Sequence, residues 1–118
     1  MSKRITSWPP VFSETPAPWQ PSVDVYRTRS GWLLKFDLAG VKTEDVTVSL
    51  TRRRITVAGI RRDRIIEEGC SYYSMEISYN RFERSIEMPV DLENAGVTLE
   101  ARDGLLLVRV NTEGVEYV

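Results

Sequence analysis

From Val23 to Val110, apolar residues recur at alternate positions in short runs closed by glycine or polar turns, and no stretch sustains the 3.6-residue period of a helix. In GWLLKFDLAG, Trp32, Leu34, Phe36 and Leu38 share one face and Leu33, Lys35 and Asp37 the other, between Gly31 and Gly40. VDVYRT sets Val23 and Val25 against Asp24, and VTVSL sets Val46, Val48 and Leu50 against Thr47 and Ser49. RITVAG sets Ile55 and Val57 against Arg54, Thr56 and Ala58 and is expected to stop at Gly59, each of the four glycines 31, 40, 59 and 104 marking a turn. VTLEA offers Val97, Leu99 and Ala101, and GLLLVRV follows an Asp103-Gly104 turn. A period of two places a strand with one face on a core. Several such strands at this spacing predict an all-β antiparallel sandwich, with KTEDV long enough for one helical turn.

A chain of 118 residues suits one domain and can bury roughly 65% of its unfolded surface. With 42% hydrophobic and 28% charged residues, it has the make-up of a globular protein rather than a disordered one. A net charge of -1 gives no general pull toward nucleic acid or an anionic membrane, so neither is expected as a partner. No apolar run approaches bilayer length, and residues 1–22 lack the apolar stretch of a signal peptide. Cys70 is alone, which excludes an internal disulfide and points to a reducing, cytoplasmic setting in which it is a passive thiol. Histidine is absent, so Ser-His-Asp, Cys-His and the common zinc ligand sets are absent too. Glu67-Glu68 and Glu44-Asp45 lie in polar, turn-like sequence where water keeps carboxylates ordinary. No catalytic, cofactor-binding or metal-ligating set emerges, which argues against an enzyme.

Four segments do not reduce to simple strands. Five of the six prolines fall between Pro9 and Pro21, so WPPVFSETPAPWQP reads as an extended arm bearing Trp8, Val11, Phe12 and Trp19. Its aromatics either dock on the domain or contact other chains, with Trp19 the one expected to dock. Residues 60–71, IRRDRIIEEGCS, are dense in charge and outrun what a hairpin turn needs. LLLV, Leu105 to Val108, is apolar on both faces, as in a covered central strand or a surface strand awaiting a partner. In YNRFERSIEMP, Phe82, Arg84, Ile86 and Met88 share a face opposite Glu83, Ser85 and Glu87, which puts a guanidinium on the side meant for the core. The arginines of TRRRI and RRDR have phosphate-binding chemistry, but acidic neighbours dilute the second cluster and no aromatics interleave with either. Solvated hairpin charges are the simpler reading.

Taken in order, PWQPSVDVY, LKFDLAGVKTEDVTVSL, RITVAGIRR, MEISYNRFERSIEMPVDLENAGV and DGLLLVRV resemble the small heat shock proteins of the alpha-crystallin (Hsp20) family. The resemblance runs from about Trp19 to Val110 and is carried by an F-x-R-x-x-x-x-P element (Phe82, Arg84, Pro89) and a closing G-L-L (Gly104, Leu105, Leu106). It implies an immunoglobulin-like sandwich over residues 19–110, after an arm at 1–18 and before a short tail at 111–118. It also implies homodimerisation through the charged loop, within which a short strand crosses to the partner's sheet. Residues 60–77 hold that position. The dimer contact expected on this basis comprises Arg61, Arg62, Arg64, Ile65, Ile66, Glu67, Glu68, Tyr72, Tyr73 and Arg84. Arg84 would meet a carboxylate or backbone carbonyls there; alternatively it sits at the sheet rim and reaches water.

The function the resemblance implies is that of an ATP-independent holdase, a stress-response chaperone that binds partly unfolded proteins without a cofactor. Clients would meet Trp8, Val11 and Phe12 in the arm and a groove lined by Val48, Leu50, Leu99 and Leu106. Family members commonly end in an isoleucine-x-isoleucine motif that enters this groove on a neighbouring dimer. Here Val115 and Val118 are three apart, Val115 and Tyr117 have the spacing but not the residues, and Leu99 replaces a usual small residue. The expectation is a dimer, or assemblies weaker than the family's large shells. A p23/CS-like monomeric co-chaperone is the alternative, and the long 60–77 segment argues against it.

Overall fold

A computed structural model describes residues 18–113. The alternating runs become seven strands: β1 (Val23–Arg27), β2 (Gly31–Asp37), β3 (Val46–Leu50), β4 (Arg54–Ile60), β5 (Arg81–Glu87), β6 (Gly96–Arg102) and β7 (Leu105–Asn111). KTEDV contributes a 3₁₀ turn at Thr43–Asp45. All neighbours pair antiparallel, in one sheet ordered β1-β2-β7-β6 and a second ordered β3-β4-β5.

Register puts the alternation to work. Val25, Leu34, Val108 and Leu99 form one row across the larger sheet, and Val48, Val57 and Arg84 one row across the smaller. The inward faces meet in a core that includes Leu34, Phe36, Ile55, Val57, Phe82, Met88, Val90 and Val108. LLLV is the covered central strand: Leu106 and Val108 point into the core, while Leu107 lies on the outer face between Lys35 and Glu100. Leu107 is only 3% exposed, as expected where the aliphatic stems of long polar neighbours flank an apolar residue.

Of the four glycines expected to mark turns, Gly40 and Gly104 lie within one, Gly31 closes the β1–β2 turn by accepting from the Thr28 N–H, and Gly59 marks none. Asp103 and Gly104 both adopt positive φ, 53° and 77°, the signature of the tight β6–β7 hairpin, and Gly40 at 78° turns the chain after β2. Gly59, expected to end β4, instead lies inside it, because the strand continues to Ile60. Gly59 is there for close approach: a Cβ would drive into the Asp45 carbonyl oxygen and onto the Phe82 ring. Gly31 likewise begins β2 and faces the Val110 carbonyl.

Gly59→Ala is therefore expected to lower stability by about 1–3 kcal/mol, the usual cost of overpacking. Urea denaturation measures it; an unchanged midpoint would mean that β3 and β5 can move apart freely.

Candidate functional site

The sandwich has two long sides. On one, the edge strands β3 and β6 bound an apolar groove of about 380 Å³ lined by Leu38, Val41, Val46, Val48, Leu99 and Leu106, with Glu100, Arg102 and Asp103 at its rim. Leu99 is 53% exposed, so its bulk stands at the groove's mouth rather than filling it. Leu50 does not line this groove; it borders a separate shallow pocket with Thr51, Arg52, Leu92 and Glu93.

On the other side, β5 and β1 are the edges. Trp19 covers that of β5: its N–H donates to the Arg81 carbonyl at 3.1 Å and its carbonyl accepts from the Glu83 N–H at 3.1 Å. The indole packs on Phe82 with ring centroids 5.3 Å apart, so Trp19 is docked on the domain. Trp8, Val11, Phe12, Val115, Tyr117 and Val118 lie outside the described residues. β1 has β2 on one side and, among the described residues, no strand on the other, and its inward-facing Val25 is 43% exposed. An unpaired strand edge presents free backbone donors and acceptors.

Arg84 faces inward on this same side, in the row of Val48 and Val57, and is half-buried. Its Nη1 donates to the Pro21 carbonyl at 3.2 Å, tying β5 to the chain entering β1. No carboxylate pairs with it among the described residues. A guanidinium turned toward a core is tolerable when it satisfies a carbonyl that would otherwise lack a donor.

Between β4 and β5 the chain leaves the sandwich, and residues 61–80 form no strand. Ile65, Ile66, Tyr72, Tyr73, Met75 and Ile77 are all exposed, Met75 by 56% and Ile77 by 59%. Glu67, Glu68 and Cys70 are exposed as well, around a turn in which Gly69 has φ +81°. The arginines bind within their own chain: Arg62 and Arg64 both reach Asp45, at 3.4 and 2.6 Å, and Arg61 donates to the Ser78 and Ala39 carbonyls. Sequence reading passed over two members of this segment. Tyr73, Met75 and Ile77 alternate with Ser74, Glu76 and Ser78, the same period-two signal that marked the other strands, but masked by the charge that precedes it.

The TRRR arginines hold the β3–β4 hairpin to the β5–β6 connection. The Arg53 and Arg52 carbonyls accept from the N–H groups of Met88 and Leu92, at 2.6 and 2.7 Å. The Arg53 Nε donates to the Met88 carbonyl, while Arg52 pairs with Asp91 and Arg54 with Glu87. Their chemistry is spent on carbonyls and carboxylates of the same chain. Among the described residues no cluster of His, Cys, Asp or Glu has the arrangement to hold a metal ion, and no helix is long and apolar enough to cross a membrane.

A four-plus-three antiparallel sandwich with a long excursion between its fourth and fifth strands has the architecture of an alpha-crystallin domain. The chain belongs to the Hsp20/alpha crystallin family, whose profile matches residues 24–117. It is 31% identical to spore protein SP21 of Stigmatella aurantiaca over 91 residues, covering 77% of this chain and 54% of that protein. It is 25% identical to small heat shock protein C2 of Rickettsia felis over 101 residues, covering 86% of this chain and 66% of the relative. The chain thus spans about half to two thirds of the length of these curated relatives. The structure of heat shock protein 16.0 from Schizosaccharomyces pombe superposes with a TM-score of 0.69 at 27% identity, over 78% of this chain and 86% of that one. The family acts by binding, not by catalysis.

Two outcomes follow from these contacts. Arg84→Ala leaves the Pro21 carbonyl without its donor and is expected to cost about 1–3 kcal/mol in urea unfolding. A loss below a few tenths would mean that water replaces the bond. Asp91 is held below its ordinary pKa of 3.8, first by the Glu93 N–H at 2.9 Å and then by Arg52. A folded carboxyl with a lowered pKa adds stability above its unfolded value, and that stability is lost as pH falls through the folded one. Thermal unfolding followed from about pH 6 to about pH 2.5 is expected to show a shallower acid decline in Asp91→Asn than in the wild type; parallel curves would remove Asp91 from the acid transition.

Proposed function

We propose that this chain is an ATP-independent holdase that works as a homodimer in which residues 73–77 of each copy add a strand to the partner's β1. The observation that carries this reading is a matched pair of unmet needs. β1 has an open edge with Val25 exposed, and the 73–77 segment has strand alternation with Tyr73, Met75 and Ile77 exposed. Laid along β1, those three side chains would extend the inward face past Val23 and Val25, and the backbone groups of both segments would find partners. A two-fold axis makes the contact twice, once for each copy. Arg61, Arg62, Arg64, Ile65, Ile66, Glu67, Glu68, Tyr72 and Arg84 would flank it.

Clients would be held by apolar burial, roughly 25 cal/mol for each Å² removed from water. The groove beside Val48, Leu99 and Leu106 supplies one such surface, and Trp8, Val11 and Phe12 of the arm supply the other. Weak, non-directional contact of this kind accepts many sequences, which suits a binder of unfolding proteins. The lone exposed thiol supports a cytoplasmic setting.

Native mass spectrometry over a concentration series, paired with light scattering of a heat-aggregating client, tests the reading. The wild type is expected to be dimeric at micromolar concentration and to suppress aggregation. Met75→Asp buries a charge in the exchanged strand and is expected to weaken the dimer by at least ~100-fold while leaving the sandwich folded. A wild type that stays monomeric at every concentration, or that leaves aggregation untouched, would overturn it.

A further inference from the structure

Both ends of the 61–80 excursion converge on one side chain. Arg61 closes the backbone first: its N–H donates to the Asn80 carbonyl at 3.0 Å. Its Nε then donates to the Ser78 carbonyl at 2.9 Å, the residue directly after Ile77. Nη1 donates to the Ala39 carbonyl at 3.3 Å, in the turn after β2, so the excursion is bound to the other sheet as well. The guanidinium lies over the Trp19 ring, 4.2 Å from its centroid, and 5.9 Å from that of Tyr79. Trp19 itself donates from Nε1 to the Asn80 carbonyl at 3.3 Å. A planar group with donors in its plane and a cationic face satisfies this arrangement; an ammonium on a flexible stem has no such fork.

Beyond this neck the character changes. Residues 65–79 are exposed throughout. The neck is therefore the last place at which the sandwich holds the Ser78 end of the strand-forming segment. We propose that Arg61 is a positioning residue for self-assembly: it fixes the Ser78 end of the excursion against Ala39 and Trp19, and so aims residues 73–77 away from their own sandwich toward a second copy. It does this through contacts within its own chain. The inference rests on the exchange reading above and adds a residue to it.

The role is one of pre-organisation, because an aimed strand loses less freedom on pairing than a swinging one. Arg61→Lys keeps the charge and most of the stem but removes the fork, so it is the informative change; Arg61→Ala is the stronger one. The dimer dissociation constant is read by native mass spectrometry on the full chain. The urea midpoint is read in a Met75→Asp background, where self-assembly no longer contributes. Amide hydrogen exchange at residues 19 and 61 in that background reads the neck itself. The expected result for Arg61→Lys is a dissociation constant raised at least ~tenfold, as for the loss of one charge-assisted hydrogen bond. Exchange at the residue 61 amide, which donates to the Asn80 carbonyl, and at the Trp19 amide, which donates to the Arg81 carbonyl, should become faster, and the urea midpoint should stay unchanged. A wild type that dimerises, with an Arg61→Lys variant that dimerises equally tightly, overturns this inference alone. So does a weakened dimer accompanied by an equal fall in the monomer's midpoint, which would make Arg61 merely structural. A wild type that never dimerises overturns this inference together with the exchange reading.

Discussion

Backbone N–H and C=O groups must be paired wherever they leave water, and this constraint decides what the sandwich can do with its edges. Of the four edge strands, β5 is closed by its own chain through Trp19, and β3 and β6 face each other across the apolar groove. β1 remains open. Globular proteins rarely leave such an edge flat and apolar, because any extended chain can pair with it. In this chain the extended segment that matches it lies close at hand in sequence, between two strands of the opposite sheet. The groove and the open edge are thus two answers to one problem, surfaces that a small two-layer core cannot cover by itself.

Much of the fold was legible because a period of two is a strong signal in strands that bury one face. Every alternating run read between Val23 and Ile60 and between Arg81 and Val110 became a strand, and Arg84 could be placed on the inward face from its parity with Phe82 and Ile86 alone. LLLV resolved as the central strand because apolar residues on both faces need cover on both. Gly59 was misread as a stop signal for a different reason. A glycine in a sequence reports that a Cβ is not wanted, but not whether the cause is a turn or a carbonyl packed against the Cα. Only the position of Asp45, brought alongside by β3, separates the two.

The site was legible in its types and much less so in its partners. Arg84 was identifiable as an arginine needing a carbonyl or carboxylate, yet its acceptor is a carbonyl 63 residues away, which no local pattern encodes. The Arg61 neck draws on residues 19, 39, 61 and 78–80, a set without spacing or composition in common. Met75 and Ile77 are the opposite case. Their alternation was present, but it follows the charged residues 61–68 and was not read as a strand on its own pattern; the crossing strand expected in residues 60–77 came from the family resemblance.

The division of labour along that excursion follows from the strengths of its interactions. Arg62 and Arg64 meet Asp45 at the surface, where ion pairs contribute about 0–1 kcal/mol and weaken with salt. Such contacts can bias the course of the chain after the neck without locking it. Arg61, half-buried between an indole and two carbonyls, works where water competes less and its geometry is fixed. The apolar side chains of Tyr73, Met75 and Ile77 are more than half exposed, so they are the part of the segment whose free energy a second copy could lower most. In the proposed exchange, a firm base, a loosely tethered middle and an exposed tip would give a strand that is aimed yet still able to leave its partner. A holdase of the proposed kind would need that reversibility to expose apolar surface when other proteins begin to unfold, and a uniformly tight interface would deny it.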